Sequence, residues 1–159
     1  MSEPPLPIEN VQDYPRPPAL EPVPQRIVIM LGGALVAETT RALRVLETHH
    51  APSYYITPED VAAELTPVSG TSFCEWKGNA RYVDVRAGGV TAPRAAWCYD
   101  RPTARFAALA GWLAFYPGRM DEIRVGSALV TPQPGDFYGG WVTPNLTGRI
   151  KGAPGTNHW

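Results

Sequence analysis

Short apolar runs, each closed by glycine, proline or a polar turn, follow one another from Arg26 onward. "RIVIML" is rich in β-branched residues, Gly32-Gly33 interrupts it and "ALVAE" resumes, which predicts a hairpin with a two-glycine turn. "RALRVLETH" suits two periods. Leu43, Val45 and Glu47 alternate with Arg44 and Leu46 as in a strand, while Ala42, Leu43 and Leu46 also suit a short helix. "SYYITPEDV" reads as a strand running into a helix start, with Thr57 as N-cap, Pro58 at the first helical position and Asp60 at N3. That helix should end near Leu65, before Pro67. "TSFCEWKGNARYVDVRAGG" predicts a long or broken strand, with Gly78 as a bulge or a point of close approach. "AAWCYD", "WLAFY", "DEIRVG" and "SALVT" are further β-segments, and "TARFAALAG" begins as a helical turn. The pattern is that of a mainly β protein with one short helix.

Both ends of the chain differ from this. Residues 1–24 hold eight of the 18 prolines, so residues 1–25 should form an extended arm, either lying on the domain's surface or mobile, ahead of a single domain over residues 26–159. The last stretch, from Asp136, is full of Gly, Pro, Asn and Thr. It reads as an ordered tail because Phe137, Tyr138, Trp141 and Trp159 need burial. A length of 159 residues suits one core.

Charge narrows the function classes. Fourteen basic and 15 acidic residues leave a net charge of -1, without a basic run, so no nucleic-acid partner is expected. "MSEPPLPIEN" lacks the pattern of a signal peptide, and "IVIMLGGALVA" is about half a membrane span, so a soluble, cytoplasmic protein without a membrane partner is expected. Cys74 and Cys98 are too few for a disulfide scaffold or a four-thiolate zinc site, and reduced thiols are the default.

Candidate chemistry follows from the few ionisable groups embedded in apolar strands. Phosphate-binding glycine loops are absent, and Asp121 and Glu122, being adjacent, would point to opposite faces, so a paired-acid metal site for nucleotidyl transfer is not expected. His49 and His50 read as a solvent-facing pair before Pro52, with no metal or other cofactor implied. Cys74 shares a strand face with Trp76, and Lys77 could activate its thiol if the strand were irregular there. A buried, inert Cys74 is the competing reading. Tyr54 and Tyr55 face opposite ways, so one packs inside and the other can line a cleft. Asp60 can simply cap its helix. Glu47 follows a buried run and needs a partner, for which Arg41 and Lys77 are candidates.

"VLETHHAPSYYITPEDV", "TSFCEWKGNARYVDV", "AAWCYDRPTARFAALAGWLAFYPGRMD" and the tail "GGWVTPNLTGRIKGAPGT" together resemble the small bacterial proteins of domain-of-unknown-function family 427, over roughly residues 26–159. The pieces that carry the resemblance are Glu47, Tyr55, Asp60, Cys74, Lys77-Gly78, Ala80, Tyr82, Trp97, Tyr99, Pro102, Phe115-Tyr116 and Asp121. The resemblance implies antiparallel sheets meeting at an angle, in a β-tent (Mss4-like) arrangement. Members of that wider group often carry zinc on four cysteines, which this chain cannot supply. The family is sometimes filed as nucleotidyltransferases, a label that the missing acid pair argues against.

Two functional expectations result. One is a small-molecule cleft between sheets, lined by Tyr55, Trp76, Trp97 and Tyr99, with Arg41, Asp60, Glu47 and Lys77 as polar groups. Glu47 would serve as acid or base, Lys77 as a cation for an anionic or carbonyl group, and Cys74 as nucleophile. The other is an interaction module that docks a partner on the proline arm or the aromatic tail. Neither the ligand nor the oligomeric state is legible in these residues.

Overall fold

The computed structural model describes residues 6–74, 76–134 and 139–152. The chain is mainly β, with 51% of the described residues in strands and 11% in helical turns. In chain order the strands are β1 (Glu9–Asn10), β2 (Ala19–Val23), β3 (Ile27–Leu31), β4 (Ala34–Thr39), β5 (Ala42–Leu46), β6 (Ser53–Tyr55), β7 (Glu64–Cys74) and β8 (Gly78–Ala87). They continue as β9 (Val90–Cys98), β10 (Leu113–Phe115), β11 (Glu122–Val125), β12 (Ala128–Leu129), β13 (Thr131–Pro132), β14 (Trp141–Val142) and β15 (Leu146–Thr147). Two four-stranded antiparallel sheets, ordered β10-β9-β8-β7 and β12-β11-β3-β4, are joined by a three-stranded sheet β2-β5-β6 and two short ribbons.

The two-glycine hairpins fold as their sequences require. Gly32 and Gly88 both have positive φ, and a Cβ on Gly88 would lie 2.1 Å from the Gly32 carbonyl oxygen. The β3–β4 and β8–β9 turns therefore abut, and any side chain there would push the two large sheets apart.

Strand alternation builds two cores. Val83, Val85, Ala96, Cys98, Leu113 and Phe115 face the main core, where they meet Ile27, Ile29, Val36 and Ile123 of the other large sheet. Their neighbours Ala80, Trp97, Tyr99 and Ala114 face a second cluster with Val45, Tyr55, Phe106 and Leu109. A sheet buried on both faces can lay its first face against a scaffold and keep its second for a site. Tyr54 and Tyr55 divide in the same way between the two clusters.

Four local expectations are corrected. The stretch from Thr71 to Gly89, expected as a long or broken strand, is the hairpin β7–β8. Cys74 pairs with Gly78, whose φ is 107°. The helix from Pro58 is a single 3-10 turn, Pro58–Asp60, because Ala62 and Ala63 donate to the Val36 carbonyl and draw the chain into β7. Among the described residues the helical content is four 3-10 segments rather than one short helix. Glu47 lies just beyond β5, in a turn rather than a strand.

The described part of the proline-rich segment, from Leu6, is extended in β1 and β2 with a 3-10 turn at Val11–Asp13 between them, and it is stitched into the domain. β2 pairs with β5 along its whole length. Val11 and Tyr14 are buried against Leu46 in a third small cluster. The Arg44 guanidinium, itself largely buried, donates to both oxygens of Glu9, at 3.0 and 2.8 Å, and to Glu21 at 2.6 Å. Of the tail aromatics, Trp141 is fully buried and donates its indole N–H to the Phe115 carbonyl at 2.9 Å. Phe137, Tyr138 and Trp159 lie outside the described residues.

Candidate functional site

The second face of the β7–β10 sheet carries a cavity of about 220 Å³, closed on its other side by β5, β6 and the turn between them. Tyr55 lines it from β6, and Trp97 and Tyr99 from the end of β9 and the residue just beyond it, and Glu47, Cys74 and Lys77 also border it. Trp97 meets Tyr55 edge-on at 6.4 Å and lies 4.6 Å from the Tyr116 ring. Gly139 covers the Trp97 indole so closely that a Cβ there would lie 2.0 Å from the ring.

Lys77 reaches the cavity because it sits in the β7–β8 turn. Thr103 holds that turn from outside, donating its N–H to the Lys77 carbonyl at 3.0 Å and its hydroxyl to the Trp76 carbonyl at 2.6 Å. The Lys77 residue is only 9% exposed, and its ammonium lies 5.8 Å from the Tyr99 ring and 6.0 Å from that of Phe106. Among the described residues no carboxylate pairs with it and no hydrogen bond satisfies its Nζ.

Glu47 is placed by the β5–β6 turn, which is gripped from two sides. The Thr48 and His49 N–H groups donate to the carbonyls of Pro15 and Val11, and Lys151 donates its N–H to the His49 carbonyl. His49 takes a φ of 68°, strain that these contacts hold in place. Glu47 does not pair with Arg41 or Lys77. It forms an ion pair with the Arg16 guanidinium at 3.6 Å, and His50 Nε2 lies 3.9 Å away.

His50 lines the cavity and is not the solvent-facing residue that its sequence suggests. The Gln133 side chain spans the gap to it. The Gln133 carbonyl oxygen accepts from the Ala51 N–H at 3.2 Å, so its amide NH₂ faces the Lys151 carbonyl at 2.9 Å and His50 Nδ1 at 3.3 Å. Because that NH₂ can only donate, Nδ1 accepts, and the imidazole proton sits on Nε2, toward Glu47. Burial first, then the charges of Lys151, Lys77, Arg16 and His49, push the His50 pKa down to about 4.

The Tyr55 hydroxyl is fully buried and has no hydrogen-bond partner of sound geometry, although Trp97 and Tyr99 lie close enough to favour its anion. Burial outweighs them and raises its pKa, as it does for Tyr99. Both hydroxyls stay protonated at neutral pH and can donate. Tyr116, also mainly through burial, is pushed up to about 12. At the far wall, Ser72 and Tyr82 share a 2.7 Å hydrogen bond, and the Arg94 guanidinium covers the Tyr82 ring at 4.3 Å.

Three other predicted residues lie elsewhere. Arg41 and Asp60 form a forked ion pair, Nε to Oδ2 and Nη2 to Oδ1 both at 3.0 Å, beside a separate open depression. Trp76 packs against the second cluster without lining the cavity. Cys98 lies in the main core, where burial lifts its thiol to about 11, so the two free cysteines serve different cores. Arg16, His50, Gln133, Gly139 and Gly140 were not legible as site residues. The adjacency of His49-His50 to Glu47 was the one local signal that could have drawn attention to His50.

A family model described as "Domain of unknown function (DUF427)", whose short name carries a nucleotidyl-transfer label, matches residues 19–126. No curated protein matches the chain. Among the described residues no group of three or more His, Cys, Asp or Glu side chains is placed to hold a metal ion, and no helix is long and apolar enough to cross a membrane.

Proposed function

The chain belongs to the DUF427 family, whose description names no activity, and from that premise we propose that the domain binds a small anionic or carbonyl-bearing molecule in the Lys77 cavity. One observation carries this reading: a nearly buried ammonium opens onto the cavity with no carboxylate partner among the described residues. A charge withdrawn from water needs an opposite charge or several acceptors. Aromatic rings about 6 Å away are a partial substitute. A ligand carboxylate, phosphate or carbonyl would complete the set.

The walls support this reading. Several aromatic side chains with a few converging polar groups make the usual lining of a ligand site. A volume of about 220 Å³ is below the ~300–1,000 Å³ of drug-sized pockets, which favours a metabolite. Glu47 is then the proton acceptor of the site and Cys74 its nucleophile toward a carbonyl. We take a tent-like meeting of the sheets as the frame of the site, and the free thiols as fitting a reducing cytoplasm. Docking a partner on the proline arm is the weaker reading, because β2 and the Arg44 network already engage that segment.

The test compares Lys77→Met with the wild type in a thermal-shift screen of small carboxylates and phosphates. At a hundred times its Kd, a true ligand stabilises the wild type by about 2.7 kcal/mol, and the variant loses that gain while folding as well as before. Equal stabilisation of both proteins would refute the role of Lys77.

A further inference from the structure

Resting on that reading of the cavity, we infer that the ligand is a small zwitterionic acid of the amino-acid kind, with its carboxylate at Lys77 and its ammonium at Glu47. The cavity wall holds three unsatisfied polar groups of complementary character. Lys77 is a cation without an acceptor among the described residues. The Glu47 carboxylate is only 21% exposed, its ion pair with Arg16 is long at 3.6 Å, and the neutral His50 ring stands 3.9 Å away. Among the described residues no hydrogen bond reaches its oxygens. The Tyr55 hydroxyl, fully buried, is a donor with no acceptor of sound geometry among the described residues.

Arg16 is the cation already beside Glu47, and His50 does not add a second one. The Gln133 amide makes Nδ1 an acceptor, so the ring is neutral and offers Glu47 a weak, distant donor at most. A ligand ammonium would bring the charge that His50 withholds. At the opposite pole, the ligand carboxylate would accept from Lys77 and from the Tyr55 hydroxyl. The rings of Tyr55, Trp97, Tyr99 and Tyr116 then surround an apolar side chain. Opposite charges on one small cavity discriminate by omission. An acid without the amine leaves Glu47 with only its 3.6 Å ion pair to Arg16, and an amine without the carboxylate leaves Lys77 with no acceptor among the described residues.

The experiment is a calorimetric titration of the full chain with glycine, alanine, leucine, phenylalanine and tyrosine. Each is set beside its des-amino acid, its decarboxylated amine and the corresponding 2-hydroxy acid. At least one amino acid should bind roughly ten- to a hundred-fold more tightly than its three analogues, the range expected for one charged hydrogen bond. Glu47→Gln should erase the advantage over the des-amino acid without weakening that acid, and Lys77→Met the advantage over the amine. A des-amino or hydroxy acid that binds the wild type as well as its amino acid overturns the zwitterion assignment and leaves the anion site standing. If no acid of any kind binds, the cavity reading fails and this inference with it.

Discussion

Tyr54 and Tyr55 are neighbours in β6 with opposite surroundings. Tyr54 stacks on Trp141 at 4.6 Å in the main core, whereas Tyr55 turns to the cavity and leaves its hydroxyl without a partner. A buried hydroxyl that makes no hydrogen bond costs the fold about 1–3 kcal/mol. Tyr55→Phe should therefore leave the ligand-free protein as stable as the wild type or more stable by about 1 kcal/mol, while weakening any ligand whose acid group it meets. Thermal denaturation with and without a bound acid measures both effects. A fall of several degrees in the ligand-free Tm would show that the hydroxyl serves the fold and not a ligand.

The element that matters most is the arm that runs through β1 and β2. Its contact with β5 is ionic as well as backbone-paired, because Arg44 bridges Glu9 and Glu21, and Tyr14 donates to Glu9 at 2.6 Å. Burial alone would raise the Glu9 pKa, but the hydrogen bonds from Arg44 and Tyr14 and the Arg44 charge outweigh it and leave it lowered. Arg44→Met removes the cation and strands a partly buried carboxylate, for an expected loss of about 3–5 kcal/mol. Urea denaturation checks this, and a loss under about 1 kcal/mol would mean that the network is solvated and marginal. The arm also holds the turn that presents Glu47 and His50, so the same variant should weaken ligand binding beyond its effect on folding.

At the scale of the whole molecule, the site lies where segments from both ends of the chain meet, and this makes stability depend on pH. His50 titrates near 4 in the fold and near 6.5 when free. A lowered folded-state value means that the unfolded chain takes up the proton first as pH falls. The contribution is intact above pH 6.5 and is lost down to pH 4, for a total of about 3 kcal/mol. His50→Gln should flatten that slope, as read by urea denaturation at several pH values between 7 and 4.5. Glu9, also lowered, adds to the slope at the acid end of this range as the unfolded chain takes up its proton, but it does so equally in both proteins, so the difference between them reports His50. Parallel curves for variant and wild type would remove His50 as the cause.

The β3–β4 hairpin, the two faces of "SYY" and "AAWC", and the helical start at Thr57 follow from local rules, while the stop after one turn comes from the distant Val36 carbonyl. Alternation, turn glycines and capping residues act over a few positions, so they are legible in the chain itself. The cavity lining by Tyr55, Trp97 and Tyr99 is nearly as legible, since a strand's period assigns each to a face. The turn that carries Lys77 was misread because Trp76 and Lys77 carry no turn signal of their own, and only the pairing of Cys74 with Gly78 makes the chain reverse there. The Gln133–His50 contact, 83 positions apart, and the approach of Arg16 to Glu47 depend on which loops the sheets bring together as they pack. Local sequence sets which way a side chain points from its strand. What it meets is decided by long-range burial, which no single segment encodes.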